Sequence, residues 1–218
     1  MSNENYAIGK DDYASLSKDS YEAHEIRKQV DINGVAYQVI DTVNHSKSGF
    51  EATAYQRADG EVIIAYRGTE AAKLKFWDEP PKDLAADKAM VQHRVNAQQP
   101  DAEAFTQRVL ATVKEQHLDW DVSRHVHVTG HSLGGTLAEI EAARHHLGGA
   151  GFNSDGAVDL NYRVPKGQPK DAPAFVGYAR ASDVVSAASR HYGGVHTIHA
   201  AGMRAYHACG IGSCGIGC

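Results

Sequence analysis

The sequence has few of the features that assign a chain to a special class of protein. It has only three cysteines in 218 residues, and all of them, Cys209, Cys214 and Cys218, fall within the last ten residues. An odd number at this spacing matches no zinc motif and predicts no disulfide framework. The absence of cysteine from the rest of the chain fits folding in a reducing cytosol.

Long apolar runs and basic clusters are also missing. The first twenty residues, MSNENYAIGKDDYASLSKDS, hold no apolar stretch typical of a signal peptide, and no window is long and apolar enough to cross a bilayer. We therefore expect a cytoplasmic protein, or one secreted by a dedicated machine without such a peptide. The net charge of -5 and the lack of a Lys/Arg cluster argue against a nucleic-acid partner.

The composition that remains is that of an ordinary globular protein. The chain is 42% hydrophobic and 22% charged, which is enough for one sizeable core. Apolar periodicity predicts a helix over residues 11–29, with Tyr13, Leu16, Tyr21 and Ile26 on its buried face. Three strands follow, VAYQVIDTV, FEATAYQR and EVIIAYRG, and the last two are joined by the turn signal ADG.

The second half of the chain alternates between helices and strands. Two helices, LAADKAMVQHRV and DAEAFTQRVLATVKEQ, precede the strand HVHVT and a helix from Leu133 to about Leu147. The stretches GAGFN, AFVGYA and VHTIHA read as three more strands. This order predicts a mixed, mostly parallel sheet with helices on both faces. In such sheets, active sites lie beyond the carboxyl ends of the strands.

One of these ends has a catalytic pattern. In HVHVTGHSLGGTLAEIEAA the strand changes to a helix at Ser132, and GHSLG fits G-x-S-x-G. Glycines at the flanking positions avoid collisions with the neighbouring backbone, and the following helix points free N–H groups at a nearby oxyanion. The pattern predicts Ser132 as a nucleophile and the Leu133 N–H as an oxyanion donor. The other interpretation is an ordinary glycine-rich turn.

A second oxyanion donor is expected from the end of an earlier strand. The tetrahedral intermediate of acyl transfer needs two donors near its oxygen. The strand EVIIAYRG ends in Arg67-Gly68-Thr69, and Thr69 stands where that donor would lie. The alternative is a plain strand end, with the threonine capping the next element.

Together, IIAYRGT and VTGHSLGGTLAEIEA resemble the class 3, or fungal-type, lipases, a family with the α/β-hydrolase fold. FWDEPPKDLAADKAM, GAGFNSDGAV and ASDVVSAAS extend the resemblance over roughly residues 35–200. More narrowly, the chain resembles lipase-like effectors of Xanthomonas-type bacteria, whose domain carries a C-terminal secretion signal.

The resemblance implies an enzyme that cleaves carboxylic esters of lipids or phospholipids through an acyl-enzyme on serine. It implies no cofactor and no metal, and it implies transient contact with a membrane surface. For an effector it also implies an immunity or inhibitor protein as a partner.

The serine needs a base, and the base needs a carboxylate that fixes its tautomer. In this fold their chain order is Ser, Asp or Glu, then His. Asp183 follows the strand AFVGYA, and the resemblance places the catalytic acid in ASDVVSAAS. The competing carboxylates all lie in a polar loop: Asp155, Asp159 and Asp171.

Four histidines follow the predicted acid. His191 reads as the end of a helix, and His196 lies within a strand. We select His207, which lies beyond the last strand, and keep His199 or no histidine as alternatives. We expect a hydrolase domain over residues 1–205 and a Gly/Cys-rich tail over 206–218, cut short or altered relative to the family. Without a base the chain would be an inactive binding domain, and with one it could also be an acyltransferase or thioesterase.

Two further patterns are weaker. His125 and His127 share one face of a strand, but the sequence shows no third ligand for a metal, and we interpret them as packed side chains. Trp77 fits either a lid over lipid or a core aromatic.

Overall fold

The computed structural model describes residues 7–68, 84–181 and 189–198, with the side chains of 84–91 excepted. The described strands form one eight-stranded sheet in which spatial order follows chain order. The strands are β1 (Gln29–Ile32), β2 (Val35–His45), β3 (Phe50–Arg57), β4 (Val62–Tyr66), β5 (Val126–His131), β6 (Gly148–Phe152), β7 (Phe175–Arg180) and β8 (Gly194–Ile198). The helices are α1 (Lys10–Asp19), α2 (Leu84–Gln116) and α3 (Leu133–His145), with a 3-10 turn at Val122–Arg124.

The sheet has an antiparallel half and a parallel half. Strands β1 to β4 pair antiparallel, and β4 to β8 pair parallel. Every residue of β4 is buried, as expected for a central strand that is covered on both faces. The edge strand β8 is largely exposed. The predicted mixed, mostly parallel sheet is therefore confirmed.

Helices cover both faces of this sheet. Tyr13 and Leu16 of α1 are buried on one face, against a cluster that includes Ile63 of β4. On the other face, α2 contributes a buried row and α3 packs beside it; the buried residues include Phe105, Val109, Val113, Leu133, Leu137 and Ile140. The two apolar clusters thus hold the sheet between helical layers. Within the described ranges, no helix is long and apolar enough to cross a membrane.

Two helix predictions were wrong in their extent. The first helix ends at Asp19 instead of continuing to residue 29, and β1 begins at Gln29. Ile26, predicted on the buried face, is 53% exposed. The two helices predicted for residues 84–116 are one helix that contains Pro100. Proline removes one helical hydrogen bond, but Val95 and Ala102 on either side of it are buried in the same core, which keeps the helix continuous.

Candidate active site

Ser132 lies between β5 and α3, at the carboxyl end of a central parallel strand. Its backbone has φ 55° and ψ −126°, in a region that residues with a side chain rarely adopt. Such a conformation costs on the order of 1–3 kcal/mol and persists only where the surroundings impose it. The predicted strand–turn–helix context of the serine is therefore present, with local backbone strain at the serine itself.

Hydrogen bonds hold Ser132 in this conformation from both sides. Its N–H donates to the carbonyl of Phe152 in β6, at 2.9 Å. Its carbonyl accepts from the N–H groups of Gly135 at 2.9 Å and Thr136 at 3.1 Å, which are in the first turn of α3. The neighbouring strand and the following helix together fix the turn.

The two glycines of the G-x-S-x-G pattern are required by close backbone approach. A β-carbon at Gly130 would lie 2.3 Å from the carbonyl group of Gly134. A β-carbon at Gly134 would lie 2.1 Å from the carbonyl oxygen of Tyr66 in β4. Both distances are far below the roughly 3.5 Å of an ordinary carbon contact. The motif is thus explained by the packing of α3 against the ends of β4 and β5.

The first turn of α3 supplies donors next to the serine. Leu133 is the first residue of the helix and is only 3% exposed. The first N–H groups of a helix have no partner within the helix and carry its positive dipole end. This arrangement can stabilise an oxyanion formed at a substrate bound to Ser132.

The end of β4 reaches the same turn. Gly68 is buried, and a β-carbon there would lie 2.6 Å from the carbonyl oxygen of His131. Thr69, the predicted second oxyanion residue, follows directly but lies outside the described residues.

Arg67 anchors the end of β4. Its guanidinium forms an ion pair with Glu51 of β3 and lies 5.4 Å from the centre of the Tyr21 ring. The backbone N–H of Arg67 donates to the backbone carbonyl of Glu51 at 3.0 Å. Burial raises the pKa of the Tyr21 hydroxyl, so that this ring stays neutral beside the cation. The arginine of the RGT stretch therefore has a structural role: it holds the end of β4 beside the Ser132 turn.

The predicted acid and base are not covered by this description. Asp183 and His207 lie outside the described residues, as does His199, the alternative base. Trp77 also lies outside them. The three competing carboxylates do lie in the loop between β6 and β7, as predicted; Asp159 there forms an ion pair with Arg190.

The two described histidines of the C-terminal region have other contacts. His191 Nδ1 lies 2.8 Å from Glu139 Oε2, and its Nε2 lies 3.3 Å from the hydroxyl of Ser189. His196 lies in β8, as predicted, and is exposed with its ring stacked 5.7 Å from Tyr178. Both ring nitrogens of His191 thus have partners other than Ser132.

The sequence analysis missed Glu139. Its carboxylate on α3 is fully buried, and besides His191 it accepts the N–H of Tyr192 at 2.6 Å and of Ala157 at 3.2 Å. It therefore joins the helix behind the serine to the segments that lead into β7 and β8. The available signal was a glutamate at a position where the helix pattern is otherwise apolar or small.

His125 and His127 do share a face, and one carboxylate joins them. One carboxylate oxygen of Glu61 is hydrogen-bonded to His125 Nδ1 at 2.7 Å, and the other is hydrogen-bonded to His127 Nε2 at 2.8 Å. Tyr13 of α1 lies 3.0 Å from the other nitrogen of His127. Burial alone would raise the pKa of Glu61, but the hydrogen bonds to the two histidines outweigh it and leave that pKa lowered. The cluster connects the amino ends of β4 and β5 to α1.

Comparison with known sequences identifies the family. The profile of the Mbeg1-like family matches residues 27–148, which is more than half of the chain and includes the Ser132 turn. The chain belongs to the Mbeg1-like family. No curated protein matches the sequence significantly.

The solved structures most like this Mbeg1-like chain include lipases. The native propeptide complex of the Rhizomucor miehei lipase is 18% identical, with a TM-score of 0.54 over 85% of this chain and 66% of that one. A deletion mutant of the same complex gives 17% and 0.56, over 87% and 66%. The Rhizomucor miehei triacylglyceride lipase gives 16% and 0.55, over 85% and 77%.

These likenesses show that the Mbeg1-like chain has the α/β-hydrolase fold, as the sequence predicted. At such low identity they carry the fold alone. The chain also spans just under two thirds of the length of the first of these lipases.

Proposed function

We propose that this protein is a serine hydrolase that cleaves carboxylic esters of lipids, as a lipase or phospholipase. The observation that supports it most is the backbone of Ser132, held at φ 55° between β5 and the amino end of α3. Backbone strain at the serine of a strand–helix turn is typical of a nucleophile presented to a substrate. The lipase-like fold agrees with this reaction class.

In the proposed reaction the Ser132 hydroxyl attacks the ester carbonyl, and its proton passes to a histidine. The carbonyl oxygen becomes an oxyanion that the Leu133 N–H and Thr69 stabilise. The histidine then protonates the leaving alcohol, which breaks the ester bond and leaves an acyl group on the serine. Water, deprotonated by the same histidine, attacks the acyl group; the Ser132–acyl bond breaks, the fatty acid leaves, and the histidine returns the proton to the Ser132 oxygen. Asp183 orients the histidine, for which His207 is the leading residue.

A fluorophosphonate probe tests for an activated serine directly, because only a serine whose proton is taken by a neighbouring base reacts rapidly. We expect wild-type labelling to disappear in Ser132→Ala and to persist in Ser123→Ala, a partly buried control in the 3-10 turn. Ser189→Ala is the informative comparison, since the Ser189 hydroxyl lies 3.3 Å from His191 Nε2. Labelling lost in Ser189→Ala but kept in Ser132→Ala would reject the assignment.

Turnover of nitrophenyl esters of short and long acyl chains then separates the reaction classes. An ester hydrolase transfers the acyl group to water and releases a free acid, whereas an acyltransferase needs an alcohol as the acyl acceptor. We expect His207→Ala to remove activity and His199→Ala to keep it. Absence of labelling and of turnover in the wild type would favour a binding domain. Activity on phosphatidylcholine vesicles, compared with activity on triacylglycerol emulsions, distinguishes a phospholipase from a neutral lipase.

A further inference from the structure

A cluster of side chains of the types that bind metals lies between α2 and α3, apart from the Ser132 turn. His145 Nε2 is 3.0 Å from Glu103 Oε1 and 3.4 Å from Glu141 Oε2. The three ligand atoms all lie within 4.8 Å of one another. Glu141 and His145 are one turn apart on α3, and Glu103 faces them from α2.

Two atoms at the centre of the cluster lack hydrogen-bond partners of good geometry, whereas Glu103 Oε1 accepts a hydrogen bond from Gln107 Nε2 at 2.6 Å. Glu141 is fully buried, and its Oε2 has no hydrogen-bond partner in the part of the chain that the structure describes. The same is true of His145 Nε2. A buried carboxylate oxygen without a hydrogen-bond donor destabilises the fold. Glu141 therefore lacks a compensating donor on the side that faces His145.

The outer faces, in contrast, are held in place. Gln99 Nε2 donates to Glu141 Oε1 at 3.4 Å, and Arg144 Nε lies 2.6 Å from Glu103 Oε2. The contact between Glu103 and Arg144 is an ion pair without hydrogen-bond geometry. Each carboxylate thus has one oxygen next to His145 Nε2 and the other next to a nitrogen of Arg144 or Gln99. This is the support that ligating carboxylates have in metal proteins.

The spacing suits a transition metal. Bonds of about 2.0–2.1 Å from a tetrahedral Zn²⁺ to nitrogen and oxygen place adjacent ligand atoms about 3.4 Å apart. Of the two distances from His145 Nε2, the one to Glu141 Oε2 equals this value at 3.4 Å, and the one to Glu103 Oε1 is slightly shorter at 3.0 Å. An imidazole with two carboxylates favours Zn²⁺ or a similar first-row ion over Ca²⁺ or Mg²⁺, which take oxygen ligands.

We propose that Glu103, Glu141 and His145 bind one divalent transition-metal ion that fastens the long helix α2 to α3. Ser132 lies about two and a half turns before Glu141 along the α3 axis, so the ion would not reach the ester. The ion is a structural clip, and the proposal does not depend on the reaction at Ser132.

Titration of zinc chloride into untagged, chelator-treated protein tests this site by calorimetry. We expect one ion per chain and a rise of about 2 °C or more in the thermal midpoint at saturating zinc. Glu141→Gln and His145→Asn should each weaken binding by at least about tenfold, the scale on which even outer partners act. His146→Asn is the matched control: it is adjacent and exposed, and its left-handed backbone at φ 56° suits asparagine.

Three outcomes would overturn the proposal. The first is no saturable binding by the wild type, and the second is equal binding by wild type, Glu141→Gln and His145→Asn. The third is loss of binding only in a His127→Asn variant, which would assign the ion to the Glu61 cluster. If a variant fails to fold, X-ray absorption at the zinc edge of the loaded wild type remains decisive. One imidazole with oxygen neighbours supports the site, and several imidazoles or sulfur reject it.

Discussion

The backbone of Gly134 lies so close to Tyr66 that a β-carbon at residue 134 would come within 2.1 Å of the Tyr66 carbonyl oxygen. The serine turn is therefore built against β4 as well as on its own strand. This contact joins the two strand ends whose loops are expected to form the oxyanion site. It also makes the second glycine of the pattern testable by stability alone.

Gly134→Ala should lower the free energy of unfolding by about 1–3 kcal/mol, because the methyl group must displace backbone. Alanine is the better helix former by roughly 1 kcal/mol, so the sign separates packing from propensity. Urea denaturation measures it. Gly194→Ala, where a β-carbon meets nothing within 4 Å, is the control and should change little. A stabilised Gly134→Ala protein would contradict the close approach.

Ser132→Gly should be more stable than Ser132→Ala by about 1–3 kcal/mol, because glycine relieves the strain at φ 55°. At an ordinary position the order is reversed, since glycine gains more entropy on unfolding. Both variants should lose esterase activity. Ser123, in the 3-10 turn, provides the control pair and should show the ordinary order. Equal stability of the two Ser132 variants would mean that the turn is unstrained in solution.

Glu139→Ala should cost about 3–5 kcal/mol of stability, because it leaves two buried N–H groups and His191 without their acceptor. Glu139→Gln should cost less, since its carbonyl can still accept both N–H groups. Chemical denaturation checks both variants, with the exposed Glu115→Ala as control. A loss below roughly 1 kcal/mol for Glu139→Ala would show that the network contributes little.

The Glu61 carboxylate should stabilise the fold in a pH-dependent way. Its folded pKa is lowered from the ordinary value of 4.5, so its contribution is complete above that pH and is lost as the pH falls through the folded pKa. Glu61→Gln should therefore be less stable than wild type by about 1.5–3 kcal/mol at pH 7. The difference should shrink as the pH falls below 4.5 and through the folded pKa. A difference that stays constant down to the acid unfolding of the protein would contradict the lowered pKa.

Most of the fold was predictable from apolar periodicity, because strands buried on both faces read as short apolar runs. FEATAYQR became β3 at Phe50–Arg57 without any shift, and the strand–helix change at Ser132 was placed correctly. β1 was missed because Gln29–Ile32 is a four-residue edge strand with one buried side chain, which leaves almost no pattern to detect.

The network around Glu139 could not be predicted, because its partners are distant in sequence and two of them are backbone N–H groups. The same holds for the Glu103–Glu141–His145 cluster, which exists only because α2 runs beside α3. In contrast, the glycines around Ser132 could be predicted, because a position where any side chain would collide with backbone must be glycine, and that requirement is visible in the sequence. Local constraints leave sequence signals, and long-range polar contacts leave few.

The sequential strand order has a consequence for how the serine turn is made. Each strand pairs with its predecessor, so the sheet can grow in the direction of synthesis. The bond from the Ser132 N–H to Phe152, however, closes only after β6 has been added. Residues up to the end of α3 therefore hold the motif and the helix contacts of the turn but lack this bond. A chain that ends before β6 should hold the Ser132 turn less firmly than the complete sheet does.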